Sequence, residues 1–186
     1  MTWKTPIWLL AALIGSSLVL LPAAFADVSL QEVYNAAGPG QGYDKLLELD
    51  PEETYTGDLL ICQWNTVCIH GNGALVVTPD PNFGIAIRVL WSQLDIDHTV
   101  IVCGYSGIEY GLEACGTVKN NTIVGAREMG VRTGLVPSGQ PMEFANNIIL
   151  DNHYGVYAEE DALPTYVGYN DLWNNWGGHY VKFCQG

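Results

Sequence analysis

From Lys45 onward the apolar residues come in short runs of three to five, rich in Val, Ile, Leu, Thr and Tyr, and separated by Gly, Asn, Asp or Pro. Such runs predict short strands joined by tight turns, and no amphipathic stretch of ten residues intervenes to make a helix. An asparagine-centred segment recurs within this texture. ANNIILDNHYGVYA from Ala145 overlays GYNDLWNNWGGHYV from Gly168, setting Asn147 on Asn170, Ile149 on Leu172, Asn152 on Asn175 and Tyr157 on Tyr180. VKNNTIVGAREMGV from Val118 matches after one extra residue before Gly130, and DIDHTVIV from Asp95 and TVCIHGNGALVV from Thr66 carry weaker copies.

Measured between matched positions the steps are 27 (Val67 to Leu94), 23 (His98 to Asn121), 26 (Asn121 to Asn147) and 23 (Asn147 to Asn170). Each step holds about three short strands and three turns, too little for a helical crossover in every unit. A unit of this size cannot bury its apolar side alone, so the copies must stack. Like then lies over like, at the ~4.8 Å strand spacing. The expected columns are His98, Asn121, Asn147 and Asn170 at a turn, with Val100, Ile123, Ile149 and Leu172 filling the interior. Asparagine suits the first column because it tolerates left-handed turn backbone, and its amide both donates and accepts.

The N-terminal stretch reads differently. Lys4, the apolar run from Ile7 to Leu21 and the small-residue pattern Ala24-Phe25-Ala26 have the form of a secretory signal over residues 1–26. The apolar run is shorter than a membrane-spanning helix needs, so no membrane attachment is expected after cleavage. Residues 27–42 form a capping segment: Ser29 and Glu32 have capping-box spacing, Leu30, Val33 and Tyr34 offer one apolar face, and a glycine-rich turn follows. This short helix should cover the first coil, and residues 43–186 should form the solenoid. The expected location is secreted, either extracellular or periplasmic.

Charge narrows the partners. Twenty acidic residues against seven basic ones give a formal net charge of -13, which repels phosphate backbones and disfavours nucleic acid. It also opposes an unassisted grip on polyuronates, unless a divalent cation bridges or aromatic rings stack on neutral sugars. Export makes disulfides available to the five cysteines. Cys62 with Cys68 and Cys103 with Cys115 are the local pairings, Cys184 is the odd thiol, and no zinc-ligand spacing is present.

The runs YTGDLLI, VCIHGNGALV, LDIDHTVI and GTVKNNTIVG, with the final asparagine segments, resemble the right-handed parallel β-helix proteins of the pectate-lyase-like superfamily, the pectin lyase fold, over roughly residues 43 to 182. The resemblance implies an all-β, single-stranded right-handed parallel β-helix of about five coils with a short N-terminal capping helix. It further implies a groove that binds polysaccharide, with lyase, hydrolase or epimerase activity in some members. Lyase members use carboxylate-bound calcium and a basic residue beside it, which makes calcium a candidate cofactor here.

Several residues are candidates for such chemistry, although no lyase signature surrounds them and none is assigned as catalytic or metal-binding. Asp95 and Asp97 share the outer face of one strand, either solvated or on calcium. Arg127 and Arg132 are the bases expected in the next coil, with Arg132 in the column of Tyr157 and Tyr180, where it could instead stack on a ring. His98 reads as a ladder member. His70, His153 and His179 read as turn residues without a carboxylate partner. Glu109 and Glu113 could pair, and Glu159-Glu160-Asp161 reads as a solvated loop. Trp64, Trp91, Trp173 and Trp176, with Tyr154, Tyr157 and Tyr180, either close the ends of the core or form a sugar-stacking platform. The expected role is contact with extracellular carbohydrate. The rivals are a calcium-assisted polysaccharide lyase, a glycoside hydrolase, or a structural module that self-associates through the C-terminal end or is a fragment of a larger surface protein.

Overall fold

The computed structural model describes residues 28–135, 140–160, 162–182 and 184; the leader read over residues 1–26 lies outside them. After β1 (Val28–Ser29) and α1 (Leu30–Ala36) come six coils of three strands each. They are β2 (Lys45–Glu48), β3 (Thr54–Thr56), β4 (Leu59–Ile61); β5 (Thr66–His70), β6 (Leu75–Val77), β7 (Ile85–Leu90); and β8 (Gln93–Asp97), β9 (Val100–Val102), β10 (Ser106–Gly111). Then follow β11 (Cys115–Lys119), β12 (Thr122–Val124), β13 (Met129–Thr133); β14 (Met142–Ala145), β15 (Ile148–Leu150), β16 (Tyr154–Ala158); and β17 (Tyr166–Gly168), β18 (Asp171–Trp173), β19 (Gly178–Lys182). Sheet I stacks β2-β5-β8-β11-β14-β17, sheet II β1-β3-β6-β9-β12-β15-β18, and sheet III β4-β7-β10-β13-β16-β19.

Adjacent strands pair parallel throughout, for example β5 on β8 and β12 on β15. The protein is an all-β parallel solenoid, with one short helix among the described residues. It has about seven turns, β1 opening the first, rather than the five expected. The asparagines mark only the later coils, so counting them missed the early ones.

Alternation explains the core. In sheet II the inward column is Tyr55, Val76, Ile101, Ile123, Ile149 and Leu172. In sheet I it is Leu47, Ile69, Ile96, Val118, Phe144 and Val167. All but the two last-coil members are buried, which is what a stack of like residues must achieve. At the N-terminal end α1 packs on β1, β2 and β4. The Ser29 side chain accepts the Glu32 N–H at 3.3 Å, Leu30 and Tyr34 are buried, and Lys45 Nζ donates to the Tyr34 and Ala37 carbonyls that end the helix.

The asparagine ladder is present. The Oδ1 atoms of Asn121, Asn147 and Asn170 accept the backbone N–H of Thr99, Asn121 and Asn147 at 2.9, 3.0 and 2.9 Å. Their Nδ2 atoms donate to the carbonyls of Ile96, Val118 and Phe144 at 3.0, 2.8 and 2.9 Å. A second ladder runs through Asn152 and Asn175, whose Oδ1 atoms take the N–H of Ala126 and Asn152. Glycine makes room for it. A Cβ on Gly130 would stand 2.8 Å from the Gly155 carbonyl and 3.1 Å from Asn152 Nδ2.

Three register assignments differ from the sequence reading. Thr99, not His98, occupies the asparagine column, because β9 pairs Val100 with Thr122. His98 sits one place earlier, beside Asn120, Asn146 and Tyr169, all with φ between 49° and 58°. Val100 therefore faces outward, and Ile101 is the interior member. Tyr157 pairs with Val181 and Tyr180 with Val156, because the Trp176-Gly177 turn holds one residue more than its counterpart.

Candidate functional site

Outward positions of sheet I form a polar wall. One column reads Leu46, Cys68, Asp95, Thr117 and Glu143; the next reads Glu48, His70, Asp97 and Lys119. Tyr43, delivered by the glycine-rich turn before β2, borders this wall in a pocket of about 320 Å³ with Cys68, His70, Asp95, Asp97 and Lys119.

The two aspartates do lie on one face, as alternation requires, with Leu94 and Ile96 buried behind them. Side-chain donors engage both carboxylates. Tyr43 OH and Gln93 Nε2 donate to Asp95 Oδ2 at 2.7 and 3.0 Å, while Asp95 Oδ1 is buried without a hydrogen bond. Asp97 lies 3.2 Å from His70 Nδ1 and 3.1 Å from His98 Nδ1. Among the described residues no three His, Cys, Asp or Glu side chains are placed to hold a metal ion.

His70 is thus the end of a strand with a carboxylate partner, not a turn residue without one. The sequence concealed this because Asp97 is 27 residues away. The base stacked on Asp97 is Lys119, which pairs with Glu143, whereas the expected Arg127 and Arg132 lie elsewhere. His70 Nε2 also approaches Cys68 Sγ at 3.5 Å. Burial pushes the Cys68 thiol up to about 11, and the carboxylates of Asp97, Asp95 and Glu48 push the same way. Tyr43 is likewise held as a phenol, first by its bond to Asp95 and then by burial.

Sheet III carries a second arrangement. Its outward column runs Leu60, Arg88, Glu109, Arg132 and Tyr157. Arg88 Nη2 donates to Glu109 Oε2 at 3.4 Å, Arg132 Nη1 stands 3.9 Å from the same oxygen, and Arg132 Nη2 donates to Glu159 Oε1 at 2.6 Å. Glu109, with only 8 % of its side chain exposed, is therefore held between two guanidiniums rather than paired with Glu113, which is exposed at the next corner. Arg132 is bound by carboxylates, not free beside a tyrosine. With Leu90, Leu112 and Leu135 these residues line a groove of about 310 Å³. Trp91 follows Leu90 at the corner, 39 % exposed, its backbone N–H donating to the Leu112 carbonyl at 2.8 Å. Trp64 occupies the same corner one coil earlier, 68 % exposed.

The remaining candidates are scattered. Arg127 Nη1 donates to Asn82 Oδ1. His153 is stacked between Tyr154 and Trp176 at 3.9 Å, with its Nδ1 3.6 Å from Glu128, and His179 meets Asn175. Glu160 is exposed, Glu159 is bound to Arg132, and Asp161 lies outside the described residues. Trp173 and Trp176 are exposed on the last coil, and Tyr180 faces its interior. The four described tryptophans thus fall in two separate groups rather than one row. All five thiols are unbonded. Cys103 faces the core while Cys115 faces outward from sheet I, so the sheet itself separates that expected pair.

No protein-family model matches the chain, and no curated protein or solved structure matches it.

Proposed function

We propose that this solenoid belongs with the exported pectate-lyase-like β-helices and contacts extracellular carbohydrate along the outer face of sheet III. The observation that carries the reading is a groove floored by Arg88, Glu109 and Arg132, with the exposed Trp91 directly after Leu90 and bonded through its backbone to Leu112, both of which line it. An exposed ring packs on the C–H face of a sugar, and fixed guanidinium and carboxylate groups bond its hydroxyls. The strip alternates in charge along Arg88, Glu109, Arg132 and Glu159, so a neutral glycan meets no net repulsion there despite the chain's charge of -13.

Tryptophan emission during titration with neutral and uronate oligosaccharides tests this. Trp91→Ala should weaken binding about tenfold, the equivalent of ~1.4 kcal/mol for one stacked ring, and Trp173→Ala, on the last coil, should leave it unchanged. Equal effects of the two substitutions, or no glycan response from the unmodified chain, would remove the reading.

A further inference from the structure

The sheet I wall holds a thiol, an imidazole and a carboxylate in sequence, on a different sheet from the proposed glycan groove. We infer that Cys68, His70 and Asp97 form a nucleophile, base and orienting acid for acyl transfer from small carboxylic esters of neutral alcohols.

Three observations carry it. The order is right: Sγ lies 3.5 Å from His70 Nε2, and His70 Nδ1 lies 3.2 Å from both oxygens of Asp97. A carboxylate facing Nδ1 fixes the proton there and leaves the Nε2 lone pair for the thiol. The positions are rigid. Cys68 and His70 are alternate residues of β5, and cross-strand register sets Asp95 against Cys68 and Asp97 against His70. A pocket of about 320 Å³ adjoins all three and is lined further by Tyr43, Thr117 and Lys119.

The same surroundings select the substrate. Cys68 is 5 % exposed, which admits a small acyl group and no larger one. Asp95, Asp97 and Glu48 repel an anionic ester and favour a neutral alcohol. Burial first, and then these carboxylates, hold the group as a thiol at rest, so His70 must remove the proton during attack rather than before it.

The steps balance. His70 Nε2 takes the Cys68 proton as Sγ bonds to the ester carbonyl carbon; the carbon–oxygen bond breaks, and the alcohol leaves with that proton. Water then gives a proton to His70 Nε2 as its oxygen bonds to the thioester carbonyl carbon; the carbon–sulfur bond breaks, Sγ takes the proton back from His70, and the carboxylic acid leaves.

The probe is 4-nitrophenyl acetate on the purified chain, with nitrophenolate release followed and acid-quenched samples mapped for acetyl groups at each cysteine. Release should fall at least tenfold in Cys68→Ala and in His70→Gln, and less in Asp97→Asn, which preserves side-chain shape. Acetyl should appear on Cys68 ahead of Cys62 and Cys115, which are more exposed but have no imidazole beside them. Melting curves identify any variant that fails to fold, and Asp97→Asn then decides. Release unchanged by Cys68→Ala, acetylation of Cys62 or Cys115 as fast as Cys68, or a folded Asp97→Asn with full activity would overturn the assignment. Glycan binding on sheet III is independent of each result.

Discussion

Replacing Asn147 with alanine tests the ladder at its centre. The Asn147 side chain is 1 % exposed, and its Oδ1 accepts both the N–H and Nδ2 of Asn121, at 3.0 and 3.3 Å. Its Nδ2 donates to Val118 O and Asn170 Oδ1 at 2.8 and 2.9 Å. Asn121 Nδ2 keeps two carbonyl acceptors, Ile96 and Lys119, so it survives the change. The Asn121 N–H loses its partner in a site closed to water, which costs about 1–3 kcal/mol, and the lost bond to Val118 and the emptied volume add about 1 kcal/mol more. A total of about 3 kcal/mol corresponds to a melting point lower by roughly 6–12 °C for a chain of this length.

Asn170→Ala is the internal comparison. Asn170 is only part-buried, so water can replace it beside Asn147, and its loss should cost about 1 kcal/mol. Asn147→Asp should be worse than alanine, because a carboxylate oxygen would face the Val118 carbonyl and Asn170 Oδ1. The double variant Asn121→Ala/Asn147→Ala should cost less than the sum of the singles, since the two amides bond each other. Circular dichroism melts of these variants, with the Asn121→Ala single and the unmodified protein beside them, decide the matter. A shift below about 2 °C for Asn147→Ala, or a larger one for Asn170→Ala, would refute the claim that buried amides hold successive coils together.

Two further outcomes follow from packing and burial. Gly130→Ala forces a Cβ against the Gly155 carbonyl and Ile149, at 2.8 and 3.0 Å, and should lower stability by about 1–3 kcal/mol in urea titration. Buried thiols make the fold sensitive to alkali: burial raises Cys68 and Cys184 to about 11 and Cys103 to about 12, from an ordinary value of 9.0. A folded-state pKa raised in this way contributes stability that is intact below pH 9 and is lost as pH climbs through 11 and 12. The urea midpoint should therefore be flat from about pH 7 to 8.5 and fall above 9, with a shallower fall in Cys103→Ala.

How much could be read in advance follows from how far each feature is local. Asn147 over Asn170 and Ile149 over Leu172 were legible because those coils repeat the same words at the same spacing. His98 was misplaced because the preceding coil puts threonine where later ones put asparagine, and a histidine in a left-handed turn resembles a ladder asparagine in sequence. The coil count came out low for the same reason: β2, β3 and β4 carry none of the ladder asparagines. Asp95 and Asp97 were found by alternation within one strand. Cys68, His70 and Lys119 were not gathered to them, since nothing short in the sequence ties position 68 or 119 to position 97.

That last failure is a property of the architecture. In a parallel stack, residues one coil apart stand ~4.8 Å from each other, so any two outward side chains at matched register come within bonding reach whatever their sequence separation. Separations of 21 residues for Arg88 to Glu109 and 27 for His70 to Asp97 are simply coil lengths, while Glu159 lies beyond Tyr157, the residue in register with Arg132, and reaches back to it. A one-residue slip in the register of β7, β10 or β13 would turn the outward members of the arginine–glutamate strip inward, and the same slip in β5 or β8 would dissolve the thiol–imidazole–carboxylate line. Turn length is therefore as much a determinant of the chemistry on these faces as the side chains themselves. Left-handed residues sit at those turns, His98, Asn120, Asn146 and Tyr169 at one corner and Asp151 and Asn174 at the next, and two of them also border the sheet I site, His98 through Asp97 at 3.1 Å and Asn120 on the wall of the pocket.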